Sequence, residues 1–175
     1  MHGGTELFAF RPMAETDIPS VVAIQSECYS GQFLEAEPTI RARLQICPDY
    51  AWVAEDKNGV CAYLFGYRSI VGKVTALGEV FEISHPADNL YLHDLAASRR
   101  VAGMGVGTKL VELALADAVR EGLPYSSLVS LGSARGFWSR LGYLDYSPID
   151  TAQASRLASY SEPVWCMLKF LADGN

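Results

Sequence analysis

Residues 94 to 111 read Asp94-Leu-Ala-Ala-Ser-Arg-Arg-Val-Ala-Gly-Met-Gly-Val-Gly-Thr-Lys-Leu-Val111, an apolar strand that passes through three alternating glycines directly into a helix. Glycines at 103, 105 and 107 leave the main chain without side-chain shielding, so successive N–H groups can converge on an anion at the positive end of a helix dipole. Upstream, Leu90 to Ala97 alternates as a strand and stops just short of the glycines. Downstream, Leu110, Val111, Leu113, Ala114, Ala118 and Val119 recur at helical spacing. Strand, glycine loop and helix are thus contiguous, as phosphate capture requires.

Two familiar nucleotide loops do not fit this pattern. A Walker loop ends in Gly-Lys-Ser or Gly-Lys-Thr, whereas here Thr108 precedes Lys109. A dinucleotide fingerprint needs Gly-x-Gly-x-x-Gly and an acidic residue at the end of the next strand; the glycine spacing differs, and the strand near 126 to 131 carries serines.

Working outward, 175 residues suffice for one domain with one core, and 50% apolar against 19% charged residues excludes a disordered or fibrous chain. Cys28, Cys47, Cys61 and Cys166 form no Cys-x-x-Cys pair, which argues against a zinc ribbon or a redox motif, and no metal site is expected. There is no run of 18 apolar residues, and Met-His-Gly-Gly-Thr-Glu at the start lacks the regions of a signal peptide, so a soluble cytoplasmic protein without a membrane partner is expected. A net charge of -6 disfavours nucleic acid and favours a cationic acceptor such as an amine.

Leu7 to Arg11 reads as a first strand, followed by a helix that Thr16 or Asp17 could cap and that runs to about Tyr29. Ser30 to Pro38 is polar and irregular, and Thr39 to Ile46 reads as a second helix. Tyr50 to Glu55 and Val60 to Ser69 form a hairpin around Asn58-Gly59. Ile70 to Asp88 reads as a loop holding a short strand. After the long helix, Gly122-Leu123-Pro124 stops the chain, Ser126 to Leu131 reads as a fifth strand, and strands around Tyr143 to Tyr146 and Pro163 to Phe170 complete an α/β layer structure with a mixed sheet.

The glycine segment resembles the GCN5-related N-acetyltransferases, whose signature reads like Asp-Leu-Ala-Val-Ser-Pro-x-x-Arg-Gly-x-Gly-Ile-Gly-Thr-x-Leu-Leu. Without a gap the match covers Asp94, Leu95, Ala96, Ser98, Gly103, Gly105, Gly107, Thr108 and Leu110. The family's Gln or Arg falls on Ala102, while Arg99 and Arg100 sit earlier, so the diphosphate leans on main-chain N–H groups. Ala134-Arg-Gly-Phe-Trp-Ser-Arg-Leu-Gly-Tyr143 resembles the family's Ala-x-x-Phe-Tyr-x-x-Leu-Gly-Phe, a short helix beside the pantetheine arm. The resemblance implies a mixed, mostly antiparallel central sheet flanked by helices, and acetyl-CoA as the cofactor. Its contacts would be Leu95, Ala96, Ala97, Arg100, Ala102, Gly103, Met104, Gly105, Val106, Gly107 and Thr108 from the first segment, with Ser133, Phe137 and Trp138 from the second.

Acetyl transfer to an amine needs a neutral nucleophile, a polarised thioester carbonyl and a route to discharge the thiolate. An alkyl amine of pKa near ~10.4 must lose a proton, and His93, as an imidazole of ordinary pKa near ~6.5, is the candidate base. Arylalkylamine acetyltransferases carry His-x-His-x-Leu-Ala-Val here. Tyr91-Leu-His93-Asp-Leu-Ala-Ala97 matches the second His and puts Tyr91 at the first. Strand alternation would set Tyr91, His93, Leu95 and Ala97 on one face and Asp94 on the other, which argues against a His93–Asp94 dyad. A histidine that merely hydrogen-bonds beneath the sheet is the alternative.

The family implies that an N–H around Leu95 to Ala97 holds the carbonyl. It also implies that the helix-loop-helix near the N-terminus covers the acceptor, making Tyr29, Gln32, Phe33, Glu35 and Glu37 candidate substrate contacts, with Tyr91 beside them; an ordinary solvent-facing loop is the alternative. The family's thiolate-protonating Tyr is replaced by Trp138, which leaves Tyr146, Tyr143 and Ser139 as available hydroxyls, Tyr146 being assigned the role. Arg99, Arg100, Lys109, Arg135 and Arg140 are candidates for the 3′-phosphate. The implied function is acetyl-CoA-dependent N-acetylation of a small-molecule or peptide amine; a coenzyme A binding or sensing module without turnover is the alternative. A homodimer, if one forms, would pair through the last strands.

Overall fold

The computed structural model describes residues 7–147 and 151–171; the N-terminal hexapeptide read above for a leader lies outside them. The elements in chain order are β1 (Ala9–Pro12), α1 (Ile18–Cys28), α2 (Glu37–Ile46), β2 (Ala51–Asp56), β3 (Gly59–Ser69), β4 (Asn89–Ala97), α3 (Val106–Arg120), β5 (Tyr125–Leu131), α4 (Arg135–Arg140), β6 (Leu144–Asp145), α5 (Thr151–Ala158) and β7 (Val164–Phe170). Seven strands form one sheet in the order β1-β2-β3-β4-β5-β7-β6. Only β4 and β5 run parallel, joined by the α3 crossover that a parallel pair requires.

The helices cover both faces. Tyr29, at the end of α1, meets the Asp94 side chain, whereas the Leu95 side chain is directed at Gly107 of α3. α3 is amphipathic, burying Val106, Leu110, Val111, Ala114 and Ala118 against the sheet. Pro38 stands in the first turn of α2, where its missing N–H costs nothing, so that helix begins two residues before the expected Thr39. Among the described helices none is long and apolar enough to cross a membrane.

One expectation is corrected. No strand forms within 70–88, because β3 already pairs with β2 on one edge and β4 on the other, leaving that segment no ladder to join. Its backbone is held from the side instead: Val74 N–H donates to Gln153, Leu77 N–H to Ser159 Oγ, and the Arg156 guanidinium and Tyr160 hydroxyl donate to the carbonyls of Val74 and Thr75. These partners come from α5 and the turn after it, a helix that the sequence reading did not include.

Candidate active site

The parallel pairing of β4 with β5 lasts four residues, Asn89–Leu92 against Tyr125–Leu128, and then the strands part. Their unpaired halves wall a cleft of about 280 Å³, lined by residues 92–97 and 128–131, Ser133, Ala134, Phe137 and Trp138 at one end and by Cys28, Tyr29, Phe33, Glu35, Leu77 and Tyr160 at the other. Ser98 N–H donates to Cys61 of β3, so ladder alternation turns the N–H and C=O groups of Leu95 and Ala97 to the opposite, open edge. There the Leu95 carbonyl is reached by the Tyr29 hydroxyl and the Ala97 carbonyl by the Cys28 thiol. The two N–H groups are left facing the cleft.

Beyond the end of β4 the chain turns through Gly103 and Gly105, both at positive φ (73° and 77°), and Gly105 caps α3 with no side-chain hydrogen bond. The first N–H groups of α3 have no intrahelical partner, and the N-cap, a glycine, offers no side chain to take them. A Cβ added at Gly103 or Gly105 would meet nothing within 4 Å, and one at Gly107 would make only ordinary contacts with Leu95 and Phe137, at 3.7 and 3.8 Å. The backbone itself asks for glycine at 103 and 105, through their positive φ, but not at 107, where an anion resting on these amides would be what needs the bareness. The residues present fit a diphosphate held by main-chain donors.

Arg100 is placed elsewhere. Its guanidinium pairs with Asp56 and donates to the carbonyls of Gly59 and Val60, in a second cavity of about 570 Å³ on the β2–β3 turn that Met104 also borders. Arg99 turns back to the Glu27 carbonyl, and Arg135 pairs with Asp145 over the Trp165 ring. The cations expected around the cofactor are thus largely spoken for.

Opposite Phe65 and Gly66 of β3 the register slips: Gly66 faces Leu92 and Phe65 faces Asp94, leaving His93 as the extra residue of a β-bulge. The bulge breaks the alternation expected for this strand. His93 and Asp94 project from the same face, the one carrying Tyr63, Phe65 and Tyr91, while Leu95 points to α3. They still form no dyad, because each has its own partners.

His93 Nε2 lies 3.1 Å from Glu35 Oε1, and the Glu35 carboxylate is gripped by Arg43 through two contacts of 2.6 Å and by the Gly78 N–H at 2.7 Å. All three side chains are nearly fully buried, at 2, 5 and 1% exposure for His93, Glu35 and Arg43. Burial would raise the Glu35 pKa, but His93 and Arg43 outweigh it and hold the carboxyl far below the usual range. Facing a carboxylate, Nε2 carries the hydrogen, which leaves Nδ1 as a buried lone pair with no partner among the described residues. Phe81 packs edge-on against His93 and beneath the Arg43 guanidinium.

Asp94, also on the cleft wall, has Tyr63 Oη at 2.7 Å from Oδ2 and Tyr29 Oη at 2.9 Å from Oδ1. Burial raises its pKa, against the pull of His93 and the tyrosines.

Of the remaining sequence-predicted residues, Phe33, Ser133, Phe137 and Trp138 line the cleft with Leu95, Ala96 and Ala97, while Tyr91 stands behind His93, against Tyr67. Trp138 is packed between Phe137 and Tyr143. Tyr146 does not border the cleft; its N–H is bonded to Cys166 of β7, and its hydroxyl lies toward Gly72 and Ser127. Tyr160, brought in by α5, and Arg43 were not singled out by the sequence reading: Tyr160 bonds to Thr75, 85 residues earlier, and Arg43 joins nearby Glu35 to the distant carbonyl of Glu79, an arrangement with no motif.

The acetyltransferase (GNAT) family profile matches residues 18–143 of the chain. No curated protein sequence matches it. Among solved structures it is similar to the loading GNATL domain of CurA from Lyngbya majuscula, at 11% identity and a TM-score of 0.74, covering 94% of this chain and 98% of that one. It is also similar to the ribosomal-protein-S18-alanine N-acetyltransferase from Escherichia coli, at 15% identity and 0.67, covering 96% of each chain. A third is Rv2747 from Mycobacterium tuberculosis in complex with CoA, at 16% and 0.68, covering 94% of this chain and 99% of that one. At these identities the likeness is one of fold.

Proposed function

The chain belongs to the acetyltransferase (GNAT) family, and from that premise we propose that it moves an acetyl group from acetyl-CoA to the primary amine of a small molecule or peptide, by direct attack in a ternary complex. The observation that carries the reading is the uncapped start of α3 beside the open edge of β4. Amides from Gly103 to Thr108 would hold the diphosphate, and the edge N–H groups of Leu95 and Ala97 would orient the thioester carbonyl and stabilise charge on its oxygen. The donor so held supplies an activated acetyl group.

His93 takes the proton of the attacking amine at Nδ1 through an intervening water, that nitrogen being buried out of direct reach. Glu35, fixed by Arg43 and the Gly78 N–H, holds the tautomer in which that nitrogen is free and stabilises the imidazolium that forms. Both acidic side chains of the cleft wall are engaged internally, Glu35 by Arg43 and Asp94 by two tyrosines, and Phe33, Leu77 and Tyr160 give the acceptor end an apolar and aromatic character. This supports an acceptor with a single amine on an apolar body over a polyamine.

Thiol release from acetyl-CoA, followed across a panel of amines, tests the reading: release is expected with monoamines of apolar body, and His93→Ala should lower kcat by roughly 10²-fold or more and abolish the acid limb of the pH–rate profile. An unchanged profile removes His93 from the mechanism. Tight binding of CoA with no release on any amine would favour a coenzyme A sensing module of the same fold.

A further inference from the structure

The proton inventory around Asp94 is short by one. Three close contacts converge there: Tyr63 Oη to Asp94 Oδ2 at 2.7 Å, Tyr29 Oη to Asp94 Oδ1 at 2.9 Å, and Tyr29 Oη to the Leu95 carbonyl at 3.0 Å. The two tyrosines supply two hydrogens. Carboxylate and carbonyl oxygens can only accept, so an ionised Asp94 would leave Tyr29 bonded to one acceptor and pressed against a second at the same distance. A hydrogen on Asp94 Oδ1 satisfies all three contacts: Asp94 donates to Tyr29 Oη, Tyr29 donates to the Leu95 carbonyl, and Tyr63 donates to Oδ2.

Both ends of this chain of hydrogen bonds reach the cleft. Asp94 and Tyr29 line it, and the Leu95 carbonyl that receives the Tyr29 hydrogen lies on the open edge whose N–H groups are proposed to orient the thioester. We infer that Tyr29 is the general acid that protonates the departing sulfur, with Asp94 held as a neutral carboxylic acid behind it to restore the tyrosine in the same step. This rests on the transferase reading, and it fills the role that Trp138 cannot perform.

The step balances. As the amine nitrogen bonds to the carbonyl carbon and the carbon–sulfur bond breaks, its electron pair stays on sulfur. Tyr29 swings its hydrogen from the Leu95 carbonyl to that sulfur and takes the Asp94 hydrogen in exchange. Asp94 is left as carboxylate and His93 as imidazolium, the latter having taken the amine proton, and solvent exchange resets both. The relay supports the transfer: burial alone pushes the Tyr29 phenol well above its ordinary value, so without a proton behind it the phenol would be a poor donor to a thiolate of pKa near ~8.5. A carboxylic acid behind it replaces the hydrogen that the phenol gives up, so no phenolate is left in the cleft wall. The groups facing Asp94 are Cys28 and Tyr29 from the end of α1, Tyr63 from β3, His93 on β4, Glu35 from the α1–α2 loop and Tyr160 after α5.

Asp94→Asn and Tyr29→Phe are near-isosteric, and CoA calorimetry on each controls for folding. Infrared spectroscopy across a pH titration should show in the wild type a protonated-carboxyl C=O band that Asp94→Asn lacks. Each substitution should lower kcat for acetyl-CoA roughly 10²-fold with little change in KM, and Asp94→Asn should remove the alkaline limb of the pH–rate profile. No protonated-carboxyl band near neutral pH, or kcat unchanged in Tyr29→Phe, overturns the assignment while the transferase reading stands. Thiol release absent even from the wild type, with the band present, would instead refute the transferase reading and the catalytic role together.

Discussion

His93 owes its orientation to a residue 58 positions earlier, and that pairing makes Glu35 the most consequential side chain of the site after the histidine itself. Glu35→Gln keeps the shape but leaves Arg43 as a buried guanidinium without its counter-charge, for which a loss of about 3–5 kcal/mol is expected in urea denaturation. The sign with pH follows from the depressed pKa of Glu35. Below about pH 4.3 the unfolded chain takes up a proton there that the folded one refuses, so the stability this carboxylate contributes is complete above that value and drains as the pH falls. Asp94 acts in the other direction: its raised pKa means that the folded chain keeps a proton the unfolded one has lost, so stability declines as pH rises from about 3.9 through the folded value. Stability measured against pH should accordingly lose its acid slope in Glu35→Gln and its opposing slope in Asp94→Asn; parallel curves for wild type and variants would contradict both assignments.

At the scale of elements, the strand, glycine turn and helix from Asn89 to Arg120 were legible because their signals are local: alternation, positive-φ glycines and a helical apolar stripe within one stretch of chain. The hairpin at Asn58-Gly59 was legible for the same reason. What escaped was set across strands. The bulge at His93 depends on Gly66 of β3, where a Cβ would stand 3.0 Å from the Tyr91 carbonyl oxygen, and no periodicity within β4 announces it. α5 escaped because it is short and Leu157 is its one large apolar residue, and its hold on residues 74–77 beside the cleft is visible only in three dimensions. The bulge yields its own test. Gly66→Ala forces the close approach apart, so a loss of about 1–3 kcal/mol is expected, together with a fall in kcat as His93 and Asp94 are re-aimed. Full activity in a stably folded Gly66→Ala protein would show that the slip does not position the pair.

For the molecule as a whole, nearly all of the described carboxylates reach the surface, and only Asp17 and Glu35 among them are buried. A net charge of -6 favours a cationic acceptor such as an amine, yet in the cleft wall Glu35 is paired with Arg43 and Asp94 is hydrogen-bonded by tyrosines, so neither is left free for an ammonium group. What the fold leaves open is main-chain donors: the edge of β4 and the start of α3, neither of which leaves a side-chain trace in sequence beyond the glycines. The central claim is that those donors exist for the diphosphate of coenzyme A. Gly107 separates fold from ligand, since Ala there fits the protein and should preserve or raise the melting temperature, Ala being the better helix former by up to ~1 kcal/mol. Calorimetric titration of CoA into the wild type and Gly107→Ala is therefore the decisive measurement. Saturable binding at one site in the wild type, weakened at least ~10-fold in an equally stable Gly107→Ala, is the predicted result, a loss of about 1.4 kcal/mol or more; no heat of binding in the wild type, or equal affinity in the two, would contradict it.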